Sequence, residues 1–76
     1  MKQVINITLN RVVFAIEKDA YQQLDVYLSD IRNRLAENDD RSEIISDIEA
    51  AIAEKFTALG RSEKLAVSLR DVEQVS

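Results

Sequence analysis

Val4-Ile5-Asn6-Ile7-Thr8-Leu9, Asn10-Arg11 and Val12-Val13-Phe14-Ala15-Ile16, taken together, decide the fold. β-branched residues dominate the two flanking runs, which marks both as strands. Asn10 and Arg11 then form a two-residue turn. Asn tolerates the left-handed backbone that such a turn needs, and Arg at the second position stands where Gly is the usual choice. The pairing that this turn imposes sets Leu9 opposite Val12, Ile7 opposite Phe14 and Ile5 opposite Ile16. All six large apolar side chains then share one face. The other face carries Val4, Asn6, Thr8, Val13, Ala15 and Glu17. A slip of one residue scatters the apolar set, so the pattern itself fixes the register.

A six-residue apolar face on a lone hairpin needs something to cover it. The rest of the sequence supplies helices. Ala20, Leu24, Tyr27, Leu28, Ile31 and Leu35 recur at spacings of three and four, with Asp19 or a neighbour placed to cap the start. Glu37-Asn38-Asp39-Asp40 has no apolar member and reads as a connection. A second helix starts near Asp40, where Asp40 and Glu43 have the spacing of a capping box. Its apolar set is Ile44, Ile45, Ile48, Ala51, Ile52, Phe56 and Leu59. Gly60 follows, where a left-handed C-terminal cap belongs. Two helices joined by a short polar link are expected to pack antiparallel. Beyond them, Ser68 can cap a short third helix with Asp71 at the third position and Leu69, Val72 and Val75 facing inward. An alternating strand over Leu65, Val67 and Leu69 competes for the same residues, and both readings stay open. The fold class expected is α+β, ββααα, in a single small domain over residues 1–76.

Composition limits the function. The chain has 76 residues, no Cys, no His, no Pro and one Gly. A chain of this size buries only about 60% of its unfolded surface, so its stability is marginal without help. Disulfides and thiolate metal sites are excluded, and the commonest general base and transition-metal ligand is absent. Self-association or packing on a longer chain remains as the source of help. With no His to activate Ser42, Ser46, Ser62 or Ser68, no serine triad can be assembled within the chain. One Gly cannot write a phosphate-binding loop. Glu49 and Glu54 read as a solvated helix face rather than an acid–base pair. The acidic run Asp39, Asp40, Glu43 and Asp47 lacks the spacing of a calcium loop and reads as complementing the positive end of a helix. No catalytic residue, cofactor, metal or small-molecule substrate is expected.

The net charge of −4 argues against general nucleic-acid binding. A helix-turn-helix over residues 56–75 is the alternative, which would make the chain a DNA-binding regulatory domain. Its recognition helix would offer Arg70 beside Asp71 and Glu73, a poor set for reading bases. The hairpin is the better interaction candidate, because two strands alone leave two edges of unpaired backbone groups. Val4, Asn6, Thr8, Val13 and Ala15, with Tyr21 as an aromatic anchor, form the expected contact set. The expected partner is a second copy of the chain, paired edge to edge. Neither a signal peptide nor a spanning segment is visible. The chain as given is read as cytoplasmic, and as a fragment of a longer membrane-associated protein.

Several stretches also resemble a known family. They are residues 2–10, Val13-Phe14-Ala15-Ile16, Asp19-Ala20-Tyr21, Leu24-Asp25 with Tyr27-Leu28, residues 43–49, Ile52-Ala53-Glu54-Lys55-Phe56 and residues 67–75. Together they resemble the N-terminal cytoplasmic segment of bacterial phage-shock-protein-C domain proteins. The resemblance spans nearly the whole chain, although its motifs are packing motifs. Arg11 departs from the glycine usual at the turn. The resemblance implies a regulatory, protein-binding role in an envelope-stress response at the inner face of a bacterial membrane. It brings no catalytic residues, and the membrane-spanning domain that names the family is not among these residues.

Overall fold

A computed structural model describes residues 3–75. Chain order is β1 (Val4–Leu9), β2 (Val12–Glu17), α1 (Lys18–Arg34), α2 (Arg41–Ala58) and α3 (Leu69–Val75). This is the α+β, ββααα arrangement that the sequence pattern requires. β1 and β2 pair antiparallel with Leu9 opposite Val12, Ile7 opposite Phe14 and Ile5 opposite Ile16. The turn residues Asn10 and Arg11 have φ of 49° and 66°. Both are left-handed, as a two-residue hairpin turn that matches strand twist demands. Arg11 therefore sits in a region that side chains other than Gly, Asn and Asp occupy at a cost.

The six apolar residues share a face, but cover is uneven. Leu9, Phe14 and Ile16 are buried and Ile7 is half-buried, whereas Ile5 and Val12 keep 37% and 43% of their surface exposed. Helices cover β2 and the turn end of β1. Ala20, Leu24 and Leu28 of α1 meet Ile52, Ala53 and Phe56 of α2, and Val67 and Val72 complete the core. Phe14 and Phe56 meet edge to face, with ring centroids 5.7 Å apart and planes at 79°. That geometry suits the quadrupoles of both rings. α1 packs more extensively on α3 than on α2.

Helix ends show where sequence expectation and structure part. Asp19 does not cap α1. Glu17 holds the N-cap position, and the Asp19 carboxylate accepts the amide of Ala20 at 2.8 Å. Asp40 holds the N-cap position of α2 but makes no side-chain cap bond, so no box forms with Glu43. Instead, Asn38 Oδ1 accepts the Asp40 amide at 2.8 Å, and the Arg41 guanidinium donates to the Ala36 carbonyl. These contacts tighten the link between the helices and remove Asp40 from its expected role. Ala51 and Leu59 are exposed rather than inward, and Ala53 is buried in their place. The C-terminal end of α2 follows expectation. Gly60 has φ of 80°, its amide donates to Thr57 and the Arg61 amide donates to Phe56. These two bonds make a Schellman cap, which only a residue at ease in the left-handed region completes without strain.

Beyond Gly60 the chain returns to the sheet. The Ala15 amide donates to the Ser62 carbonyl at 3.1 Å, the Val67 amide to the Ala15 carbonyl at 2.8 Å, and the Glu17 amide to the Val67 carbonyl at 2.9 Å. Val67 bridges Ile16 in parallel. The third-helix reading of this segment holds, and the alternating strand over Leu65, Val67 and Leu69 does not form, because Leu69 already belongs to α3. Val67 makes one strand-like contact and α3 starts two residues later. Ser68 and Asp71 form a reciprocal cap. The Ser68 amide donates to Asp71 Oδ2 at 2.9 Å, and the Asp71 amide donates to Ser68 Oγ at 3.4 Å.

Candidate functional site

The paired register fixes which backbone groups face outward. In an antiparallel pair, residues alternate between bonding each other and turning their amide and carbonyl away. Ala15 and Glu17 bond residues 62–67, on the far side of β2. They are therefore the outward-turning residues of β2. Their partners across the hairpin are Asn6 and Val4, and Val13 faces Thr8 at the next such position. Val4, Asn6 and Thr8 consequently aim their amides and carbonyls away from β2, along the free side of β1. The sheet has two strands only, and among the described residues no backbone bond satisfies that side.

The six expected contact residues fall into four groups. Val4, Asn6 and Thr8 line the open edge and are exposed, Val4 at 50%. Val13 lies next to Thr8 across the hairpin and is 41% exposed. Tyr21, 38% exposed, stands at the start of α1 and shares a groove with Thr8 on the helix-covered side. Ala15 leaves the set. It is 5% exposed and its backbone is engaged by Ser62 and Val67. The expectation of two open edges is corrected accordingly, because residues 62–67 occupy the β2 edge. The chain runs back to that edge after the Gly60 cap, a long-range contact that no local pattern announces.

The groove beside β1 holds about 320 Å³ and is lined by Ile7, Leu9, Leu24 and Leu28, with Arg32 and Glu49 at one end. Those two form an exposed contact of 3.4 Å between α1 and α2. No residue from Val4 to Leu9 carries a charge. The open edge is thus rich in β-branched residues, uncharged and flanked by a groove whose apolar floor is joined by the charged side chains of Asp25, Arg32 and Glu49.

An ion pair secures the covered edge. Arg61 Nε lies 2.8 Å from Asp71 Oδ2, and Arg61 Nη2 lies 3.5 Å from Oδ1. Asp71 is buried. Burial pushes its carboxyl up. The Ser68 amide and hydroxyl and the Arg61 guanidinium act the other way and prevail, holding it below its ordinary value. The sequence showed Asp71 as a cap but gave no sign of Arg61 as its partner.

Elsewhere, Asp39, Asp40, Glu43 and Asp47 are exposed, and among the described residues no group of three acidic, His or Cys side chains gathers. Residues 59–68 separate α2 from α3, too long and too strand-like for the short turn of a helix-turn-helix. No helix among the described residues is long and apolar enough to cross a membrane. Comparison with family models, with curated proteins and with solved structures finds no match.

Proposed function

We propose that this chain is a non-catalytic interaction module that pairs with a second copy of itself through the outer edge of β1. The observation that carries this reading is the asymmetry of the hairpin. One edge is capped by the chain's own residues 62–67, and the other is left open over Val4, Asn6 and Thr8. Natural edge strands are ordinarily blunted by charge, Pro, bulges or a covering segment. β1 has no charge and no Pro, and it runs unbroken from Val4 to Leu9. The net charge of −4 therefore resides outside this strand and sets no like charges against each other along it. Pairing also adds apolar burial to a domain too small to be secure alone.

The resemblance to phage-shock-protein-C domain proteins supplies the setting. On that reading the module serves a bacterial envelope-stress regulator at the cytoplasmic face of the inner membrane, tethered by a segment outside these residues. Sedimentation equilibrium from about 1 to about 300 µM tests the self-association. The expected result is a dimer at the upper concentrations and a melting temperature that rises with concentration. Monomer throughout overturns it. Salt-sensitive affinity for duplex DNA in the same buffer would instead favour the DNA-binding alternative.

A further inference from the structure

We infer that the two copies pair antiparallel about a two-fold axis at Asn6, with Val4 of one copy opposite Thr8 of the other; this rests on the self-association proposed above and goes further by fixing its register. Only residues that turn their backbone outward can exchange bonds with a neighbour, and in β1 these are Val4, Asn6 and Thr8. An antiparallel neighbour must set such a residue against another of the same kind. A one-residue offset that opposes Asn6 to Ile5 or Ile7 is therefore excluded. Three symmetric registers use more than one of these residues. An axis at Ile5 pairs Val4 with Asn6 and sets Thr8 opposite Lys2, outside β1 and outside the described residues. An axis at Ile7 pairs Asn6 with Thr8 and strands Val4 beside the turn. Counted within β1 alone, each gives about four backbone bonds, two per opposed pair. An axis at Asn6 pairs Asn6 with itself and Val4 with Thr8 twice over. It uses every outward group of the strand and gives about six.

Side chains agree with this choice. Residues directly opposed across an antiparallel ladder point to the same face. Ile5 of one copy then lies against Ile7 of the other on the helix-covered face, so both sets of helices share that face of a four-stranded sheet. Ile5 is 37% exposed in the single chain, and the groove of about 320 Å³ along Ile7 and Leu9 lies where Ile5 of the second copy arrives. On the other face the two Asn6 amides meet at the axis, where each can donate to and accept from the other.

A charge-pair cycle at two exposed positions tests the register. Within one chain Val4 opposes Glu17 and Thr8 opposes Val13. The two positions lie four residues apart on one strand, roughly 13 Å, beyond direct pairing. Val4→Lys and Thr8→Glu are each expected to weaken the dimer a few-fold by sedimentation. The double variant is expected to recover about fivefold to tenfold over the product of the singles, since symmetry brings the new pair together twice. A dimeric wild type whose double variant recovers nothing overturns the register and leaves self-association standing. Recovery in Val4→Lys with Asn6→Glu instead overturns it in favour of the axis at Ile5. A monomeric wild type overturns both proposals. Should a variant fail to fold by circular dichroism, the unaltered chain still decides. A mixed sample of isotope-labelled and unlabelled chain is expected to show an intermolecular contact between the α-protons of Ile5 and Ile7, and a dimer without it refutes the register.

Discussion

β1 and β2 contribute strands of equal length to one hairpin, yet their outer edges meet opposite fates. The β2 edge is closed at Ala15 and Glu17 by backbone bonds to residues 62–67, with Val67 fully buried behind it. The β1 edge keeps its amides and carbonyls toward solvent at Val4, Asn6 and Thr8. The cause lies in connectivity rather than composition. α1 follows β2 directly, and the Schellman cap at Gly60 turns the chain leaving α2 back toward β2. No described segment forms backbone bonds along the outer edge of β1. The lesson is that an edge strand is made safe by where the remaining chain can reach, and the edge out of reach is the one available to a partner.

The comparison breaks most severely at Val67. Replacing this fully buried residue by Asp places an unpaired charge in the core and opens the β2 edge. A loss of about 4 kcal/mol or more is expected, enough to unfold a domain of this size. Urea titration checks it, and a folded variant with an unchanged midpoint would show that residues 62–67 are only loosely held. A smaller break is expected from Asp71→Asn. The amide can still serve the Ser68 amide, but the charge facing Arg61 is gone. The expected loss at pH 7 is about 2 kcal/mol, since one partner of a largely buried pair is left alone. Because folding depresses the Asp71 carboxyl, its contribution is complete above about pH 4 and is lost as pH falls through the folded value. Thermal melts from pH 7 to pH 2 are therefore expected to bring wild type and variant together at the acid end. A gap that persists at pH 2 contradicts an ionic cause.

How much of this was legible follows from what is local. The hairpin register rests on six side chains within twelve residues, and a period of two admits no alternative that keeps them together. The Gly60 cap and the Ser68–Asp71 box are equally local, and both form as their spacing suggests. Asp40 and Glu43 have the same spacing, but no box forms, because Asn38 and Arg41 tie the link from outside that motif. Spacing permits a cap without choosing between competing acceptors, and Asn38 Oδ1 takes the Asp40 amide that Glu43 would otherwise accept. The covered β2 edge was hidden for another reason. Ser62 and Val67 reach Ala15 across about fifty residues of chain, and a single bridge leaves little periodic signal. Hence Ala15 looked like part of a free surface, and the open edge could be told from the closed one only once the chain was folded.

Arg11→Gly sharpens the comparison without touching either edge. At φ of 66° Arg11 holds a left-handed backbone that Gly adopts freely. Gly adds entropy to the unfolded chain, which offsets part of the gain. A net stabilisation of about 1 kcal/mol is expected, read as a higher urea midpoint. If copies pair along β1 as proposed, the turn lies beyond the paired residues, and the dissociation constant should stay within about twofold. A large change in association would mean that the turn itself is part of the contact.

Val13→Lys carries the smallest expected effect and bears most directly on which edge is used. Val13 belongs to β2, is 41% exposed and points to the face away from the helices. Its backbone turns toward the β2 side, but the described cover engages Ala15 and Glu17 rather than Val13. A lysine there loses some β propensity and some contact with Thr8, within about 0.5 kcal/mol. If partners add at β1, the introduced lysine stands one strand away from the contact and its ammonium extends into solvent, so association should match wild type. If partners add at the turn end of β2, beyond the reach of residues 62–67, the same lysine meets its symmetry mate and association collapses. Sedimentation of this one variant beside Val4→Lys separates the two edges. Loss at Val4 with none at Val13 places the contact on β1, and the reverse pattern moves it to the strand that the chain only partly covers.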